Sequence, residues 1–192
     1  MARPQPLPKM TFDEFLEWES RQEQRHEFVN GLVYAMAGGS KNHNRIVLNI
    51  ASRLMTQYDG GHCRVYAENI LLRMELADGI GYYPDVMLVC DPDDAPRESY
   101  SEKPCALFEV LSDTTQAIDR GDKLRDYKGL ASLTCYALVA QQAMHVTVHL
   151  RSNNWQPQVL TRPDDAVELV CPPGQTQRLT LAEIYRGLGF DA

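Results

Sequence analysis

Two short apolar runs constrain this chain more than any other part of it. They are Tyr82-Tyr83-Pro84-Asp85-Val86-Met87-Leu88-Val89-Cys90 and Cys105-Ala106-Leu107-Phe108-Glu109-Val110-Leu111. Each has the length of a strand and is rich in β-formers, and each carries one carboxylate where its neighbours call for burial. Taking a lone carboxylate out of water without a partner is costly. Asp85 and Glu109 therefore have to be satisfied together, by a cation, a hydrogen-bond network or each other's neighbours. Two such residues on adjacent strands suit a metal site.

The rest of the chain frames those runs. Thr11-Phe12-Asp13-Glu14 has the form of a capping box and opens an amphipathic helix carrying Phe12, Phe15, Leu16 and Trp18. Asn30-Gly31 between alternating segments predicts a hairpin with a type I′ turn. Past Gly38-Gly39-Ser40, the four-residue recurrence of Ile46, Ile50, Leu54 and Tyr58 predicts a helix from about Asn42 to Gln57, with His43 in its first turn. Arg64 to Met74 reads as one long strand, Ala77-Asp78-Gly79 as a turn, and Tyr82 to Cys90 as the returning antiparallel strand. Cys105 to Leu111 is apolar on both faces and so central. The polar cluster Ser112-Asp113-Thr114-Thr115 follows it. Asp119 reads as the cap of a helix on which Lys123, Tyr127 and Leu130 share a face. Thr134 to Val139 is a further strand. Strand, helix, strand in that order predicts a right-handed crossover and a parallel pair. Val146 to Leu150 and Trp155 to Leu160 read as late strands, and Thr180-Leu181-Ala182-Glu183 as a second capping box. The expected fold is α/β, a mixed β-sheet flanked by helices, with an N-terminal helix and β-hairpin.

The length suits one domain, residues 11–192, behind a short extended tail, residues 1–10. The net charge is −7 with the cations scattered, which argues against coating duplex nucleic acid by charge alone. The five cysteines, Cys63, Cys90, Cys105, Cys135 and Cys171, show no paired spacing and mostly sit in apolar runs. They read as buried reduced thiols rather than zinc ligands or disulfides. No signal segment or membrane-spanning run is visible, so the expectation is a cytoplasmic protein. Glycine-rich phosphate loops and G-x-S-x-G elbows are absent, which removes nucleotide-binding and serine-hydrolase readings.

If the two carboxylate-bearing strands pair antiparallel, Asp85 at the start of one lies beside Glu109 near the end of the other. Both can then meet Mg²⁺ or Mn²⁺, with the Val110 carbonyl and waters completing the shell. The plainer account is that Asp85 closes a turn and Glu109 pairs with a cation, and spacing does not decide between them. Lys123 lies in the first turns of the crossover helix, where an ammonium could orient a water or offset charge on a phosphate. An ordinary surface pair with Asp119 at i, i+4 is the simpler account of it. Glu27 could add a carboxylate, though a solvated edge glutamate is commoner. His43 could meet a phosphate or merely pack.

The pattern His26-Glu27-Phe28-x-x-Gly31, His43, Tyr83-Pro84-Asp85-Val86, Phe108-Glu109-Val110-Leu111-Ser112-x-x-Thr115 and Asp119-Arg120-Gly121-x-Lys123-x-x-x-Tyr127 resembles the Uma-type restriction-endonuclease family of the PD-(D/E)XK nuclease superfamily. The resemblance implies a restriction-endonuclease-like core and metal-dependent hydrolysis of DNA phosphodiesters. Asp85 and Glu109 resemble its metal ligands. The superfamily lysine should stand two residues after Glu109, where this chain has Leu111, so Lys123 takes the place of a migrated lysine and Glu27 that of an additional acidic residue. His43 and Tyr127 of the same pattern are candidates to face substrate. DNA is the implied partner, and a homodimer would let two sites cut both strands. The contrasting expectation, favoured by Leu111 and the acidic balance, is an inactive nuclease-fold module that binds DNA or regulates a partner.

Overall fold

The computed structural model describes residues 9–190 except 37, 59–60, 76–78, 95, 113–115 and 172–173. The first eight tail residues, Ala77 and Asp78 of the expected turn, and Asp113 to Thr115 of the polar cluster therefore lie outside the described residues.

Helix α1 (Phe12–Glu19) opens on the expected capping box, and β1 (His26–Val29) and β2 (Leu32–Ala35) form the expected hairpin. Asn30 and Gly31 both take positive φ, 50° and 83°, as a type I′ turn requires. Helix α2 (Lys41–Gln57) is capped by the Ser40 side chain. The strands that follow are β3 (Arg64–Ala67), β4 (Leu71–Met74), β5 (Ile80–Tyr82), β6 (Val86–Val89), β7 (Tyr100–Ser101) and β8 (Pro104–Leu111). A helical crossover comes next: α3 (Gln116–Ile118), a wide π turn (Asp119–Lys123) and α4 (Leu124–Tyr127). After it lie β9 (Cys135–Ala140), β10 (Val146–Leu150), β11 (Pro157–Leu160), β12 (Ala166–Cys171), β13 (Gln175–Thr180) and α5 (Leu181–Ile184).

Six strands make the central sheet, in the order β11-β10-β9-β8-β6-β3. Within it β6 and β8 run antiparallel, while β8 and β9, joined by the crossover, are the expected parallel pair. A second sheet has the order β2-β1-β5-β4-β7, and β12 and β13 form a separate hairpin.

The two long strands expected at 64–74 and 82–90 are each split between these sheets. β3 pairs with β6 in the central sheet, whereas β4 pairs with β5 in the second. The ribbon they make is therefore one antiparallel hairpin, bent where residues 68–70 run beside residues 83–85. The bend stays stitched, since Glu68 N–H donates to the Asp85 carbonyl at 3.2 Å. Glu68 turns the chain with a φ of 59°, and Pro84 brings no N–H to the ladder. Asp85 thus stands at the hinge between two sheets.

Alternate residues of the central strands face two different cores. On one face Val86, Leu88, Ala106, Phe108 and Val110 pack with Ile46, Ile50 and Leu54 of α2 and with the β12–β13 hairpin and α5. On the other Met87, Leu107, Leu111, Tyr136 and Leu138 pack with Leu72, Tyr82 and Tyr127. Glu109 has the parity of Leu107 and Leu111, which sends its carboxylate towards the crossover helix. Burying each such large apolar side chain stabilises by roughly 1.5–3 kcal/mol, so the register that fixes Glu109 is strongly held. A third cluster seats α1 on the hairpin through Phe12, Phe15 and Phe28, whose ring centroids lie 5.0 to 5.8 Å apart.

The cysteines depart from expectation. Cys63 is bonded to Cys90 and Cys105 to Cys171, and Cys135 alone is a free, buried thiol. Tertiary pairing explains this: Cys63 and Cys90 flank the Arg64↔Val89 register pair, and β12 carries Cys171 across β8. Such cross-links are uncommon in a reducing cytosol, so the cytoplasmic expectation loses the support it drew from free thiols.

Candidate active site

The hairpin, the bent ribbon, β8 and the crossover helix converge on one ammonium. Lys123 Nζ lies 3.0 Å from Glu27 Oε1, 3.1 Å from Glu109 Oε1 and 3.4 Å from Asp119 Oδ1. It also stands 5.2 Å from the centroid of the Tyr82 ring. The Lys123 side chain is 6% exposed, and the Glu109 and Asp119 side chains are 4% and 2% exposed. This is not the solvated surface pair that i, i+4 spacing offers. Nor does Asp119 cap the helix: it lies inside the π turn with its carboxylate buried.

Glu109 Oε1 also accepts the Tyr127 hydroxyl at 2.9 Å. Tyr127 is wholly buried, so its hydroxyl supports Glu109 and faces no opening for substrate. Burial, and after it the Asp119, Asp85 and Glu27 charges, pushes the Glu109 carboxyl well above the usual glutamate range, with Lys123 pulling the other way. For Lys123, burial disfavours the charge, but Glu109 and Glu27 outweigh it and hold the ammonium well above its usual value.

Asp85 is held beside this cluster by other partners. Its Oδ2 accepts the Val110 N–H at 2.5 Å, and its Oδ1 lies 3.2 Å from His43 Nε2. Glu68 Oε1 is 3.9 Å from the same ring nitrogen. Desolvation lowers the His43 pKa, yet the Asp85 bond and charge, with Glu68, raise it above the ordinary histidine value. His43 is placed by the α2 cap, where its N–H donates to Ser40 Oγ, and its ring fills the space a Cβ on Gly39 would need.

Of the residues expected from sequence, Glu27, Asp85, Glu109, Lys123, His43 and Tyr127 are gathered here, and Val110 contributes backbone. Three more emerge only in the fold. Asp119 and Glu68 join as above. Glu19, 4% exposed, accepts the Tyr83 hydroxyl at 3.1 Å and both the backbone N–H and the ring Nδ1 of His26, each at 3.0 Å. It thereby ties the start of β1, next to Glu27, to the segment next to Asp85. Its signal in sequence was only a glutamate closing an amphipathic helix. Among the described residues no three His, Cys, Asp or Glu side chains stand ready to chelate an ion by themselves.

A mixed α/β sheet flanked by helices, with acidic residues gathered at the junction of an antiparallel and a parallel strand pair, defines a protein of the restriction-endonuclease-like class. A solved structure described as "a putative nuclease belonging to DUF820", from Anabaena variabilis, superposes with a TM-score of 0.69 at 20% identity, covering 92% of this chain and 97% of that one. The chain belongs to the Uma2 family, described as "Putative restriction endonuclease", whose match spans residues 12–182. It is 35% identical over 189 residues to an uncharacterized protein, slr1290, of Synechocystis sp., covering 96% of each chain. A second uncharacterized Synechocystis protein, sll1609, is 27% identical over 135 residues, covering 69% of this chain and 75% of that one. Among the described residues no helix is long and apolar enough to cross a membrane.

Proposed function

We propose that this protein is a metal-dependent endonuclease that hydrolyses DNA phosphodiesters, with Asp85, Glu109 and the Val110 carbonyl holding Mg²⁺ or Mn²⁺. The observation that carries the reading is the charge at the site: Glu27, Glu109 and Asp119 crowd around one lysine with Asp85 beside them, and burial first, then the acidic neighbours, drive Glu109 towards protonation. A surplus of buried carboxylate oxygen suits a hard divalent cation. Mg²⁺ is commonly held by only one or two carboxylates and keeps several waters, so the donors present fit it.

A divalent cation bound there supplies charge neutralisation and a more acidic water. The chain's own groups do the rest. Lys123 donates into the space between Glu27 and Glu109, where it holds an attacking water or offsets charge on the phosphate. Glu27, the most exposed carboxylate around Lys123 at 17%, is placed to take up a proton from that water. His43, on the other side of Asp85, is placed to meet a phosphate. Tyr127 steadies Glu109. Two chains acting as a pair would cut both strands.

The second reading, an inactive DNA-binding or regulatory module, draws on the same lysine, which already stands where it compensates Glu109. Plasmid relaxation separates the two. Wild type with Mg²⁺ or Mn²⁺ should nick supercoiled plasmid, Lys123→Ala should lose roughly 100-fold or more, and Asp85→Ala should be inert. Binding of DNA with no nicking under either metal would establish the module instead.

A further inference from the structure

Asp119 is a buried carboxylate that the sequence suggests as a helix cap or a surface partner of Lys123, and its setting is built rather than incidental. It begins the π turn, a widened geometry that recurs at functional sites. Its carbonyl accepts the Tyr136 hydroxyl at 3.0 Å from the neighbouring strand β9. Tyr136 packs edge-on against Tyr127 with centroids 5.0 Å apart, and Tyr127 packs likewise against Tyr82 at 5.7 Å. These three buried rings form a wall behind the site, with hydroxyls on Asp119, Glu109 and Asp126. The wall fixes the turn, and the turn presents Asp119 and Lys123 to each other.

From this geometry we infer that Asp119 is the positioning residue for Lys123, keeping its ammonium aimed into the site independently of Glu109. The need is physical. Glu109 serves both Lys123 and Tyr127 through one oxygen, and in the nuclease reading, on which the catalytic consequence rests, it must also serve a cation. A lysine side chain with only a shared partner has its rotamers back. Glu27 is the more exposed of the remaining partners, at 17% against 2% for Asp119, so Asp119 is the anchor that water does not loosen.

The test reads Lys123 directly. The chain has five lysines, Lys9, Lys41, Lys103, Lys123 and Lys128, so selective ¹³Cε-lysine labelling gives a resolvable proton–carbon spectrum. In metal-free wild type the two ε-methylene protons of Lys123 should have separate shifts, as in a held side chain. In Asp119→Asn they should merge towards one averaged shift, and Asp119→Glu should partly restore the separation. Asp122→Asn, in the same turn but with its side chain 47% exposed, should change nothing. Should Asp119→Asn fail to fold, Tyr136→Phe, which removes the hydroxyl that bonds the Asp119 carbonyl, is scored in the same way. Unchanged splitting in the folded variant overturns the inference. With Mg²⁺ and plasmid, Asp119→Asn should lower kcat roughly 10- to 100-fold with little change in KM. A wild type that neither binds metal nor nicks sinks the nuclease reading, while the lysine spectrum still decides the role of Asp119.

Discussion

Replacing Lys123 with methionine keeps the aliphatic stem and removes the ammonium that faces Glu27, Glu109 and Asp119 at 3.0 to 3.4 Å. Two of those carboxylates are almost fully buried. Stripping one partner from a buried ion pair costs about 3–5 kcal/mol, because the remaining charge is left uncompensated. For a chain of this size each kcal/mol moves Tm by about 2–4 °C, so the expected fall is roughly 6–20 °C where Glu109 is ionised. The loss should depend on pH. Glu109 titrates higher in the folded than in the unfolded protein, so its stabilising protonation is complete below the unfolded value and is lost as pH rises through the folded one. Lys123 pulls that folded value down, and its removal lets it climb further. The destabilisation of Lys123→Met relative to wild type should therefore be full above the folded Glu109 value and shrink as pH falls towards about 4.3, the ordinary glutamate value. Urea melts of both proteins across that range measure it. Mg²⁺ should restore stability to the variant, by about 2.7 kcal/mol at a hundredfold excess over Kd. A loss below about 1 kcal/mol, the size of an exposed pair, or one that does not change with pH, would refute the claim that Lys123 compensates buried carboxylates.

The cross-links predict that unreduced protein, denatured and alkylated, takes up one label, on Cys135, and takes up five after reduction. Replacing Cys105 and Cys171 by serine opens a loop of 66 residues and should cost up to about 4 kcal/mol on the loop-entropy account, read by urea midpoint. Gly39→Ala places a Cβ 2.9 Å from the His43 ring, so the ring must shift and its 3.2 Å contact with Asp85 is disturbed. Since Asp85 is what raises that histidine above its ordinary value, its NMR titration should move down while the melt changes by less than about 1 kcal/mol.

Much of this fold was legible because local signals agreed. Asn30-Gly31, the two capping boxes and the four-residue recurrence of α2 each specify one local geometry, and each is found. The parallel β8–β9 pair followed from strand, helix, strand. What escaped was set by partners distant in sequence. Alternation marks Arg64 to Met74 as extended, but says nothing of the sheet to which each half belongs, and the bend falls on Glu68, a residue with no turn signature. The β12–β13 hairpin was missed, although Ala166 to Cys171 alternates clearly between buried and exposed positions. The cysteine partners meet only across strands. At the site, the residue types and positions were readable, whereas the burial of Lys123 and Asp119 was not: i, i+4 spacing describes a solvated pair and a core pair equally well.

The central claim is that the Asp85 and Glu109 carboxylates take up a divalent cation, and calorimetric titration with Mg²⁺ and Mn²⁺ tests it most directly. Wild type should bind with a saturable heat, and a folded Asp85→Ala, Glu109→Ala double variant should show none. No saturable heat from wild type, with or without DNA present, would contradict the account, as would equal binding by the double variant.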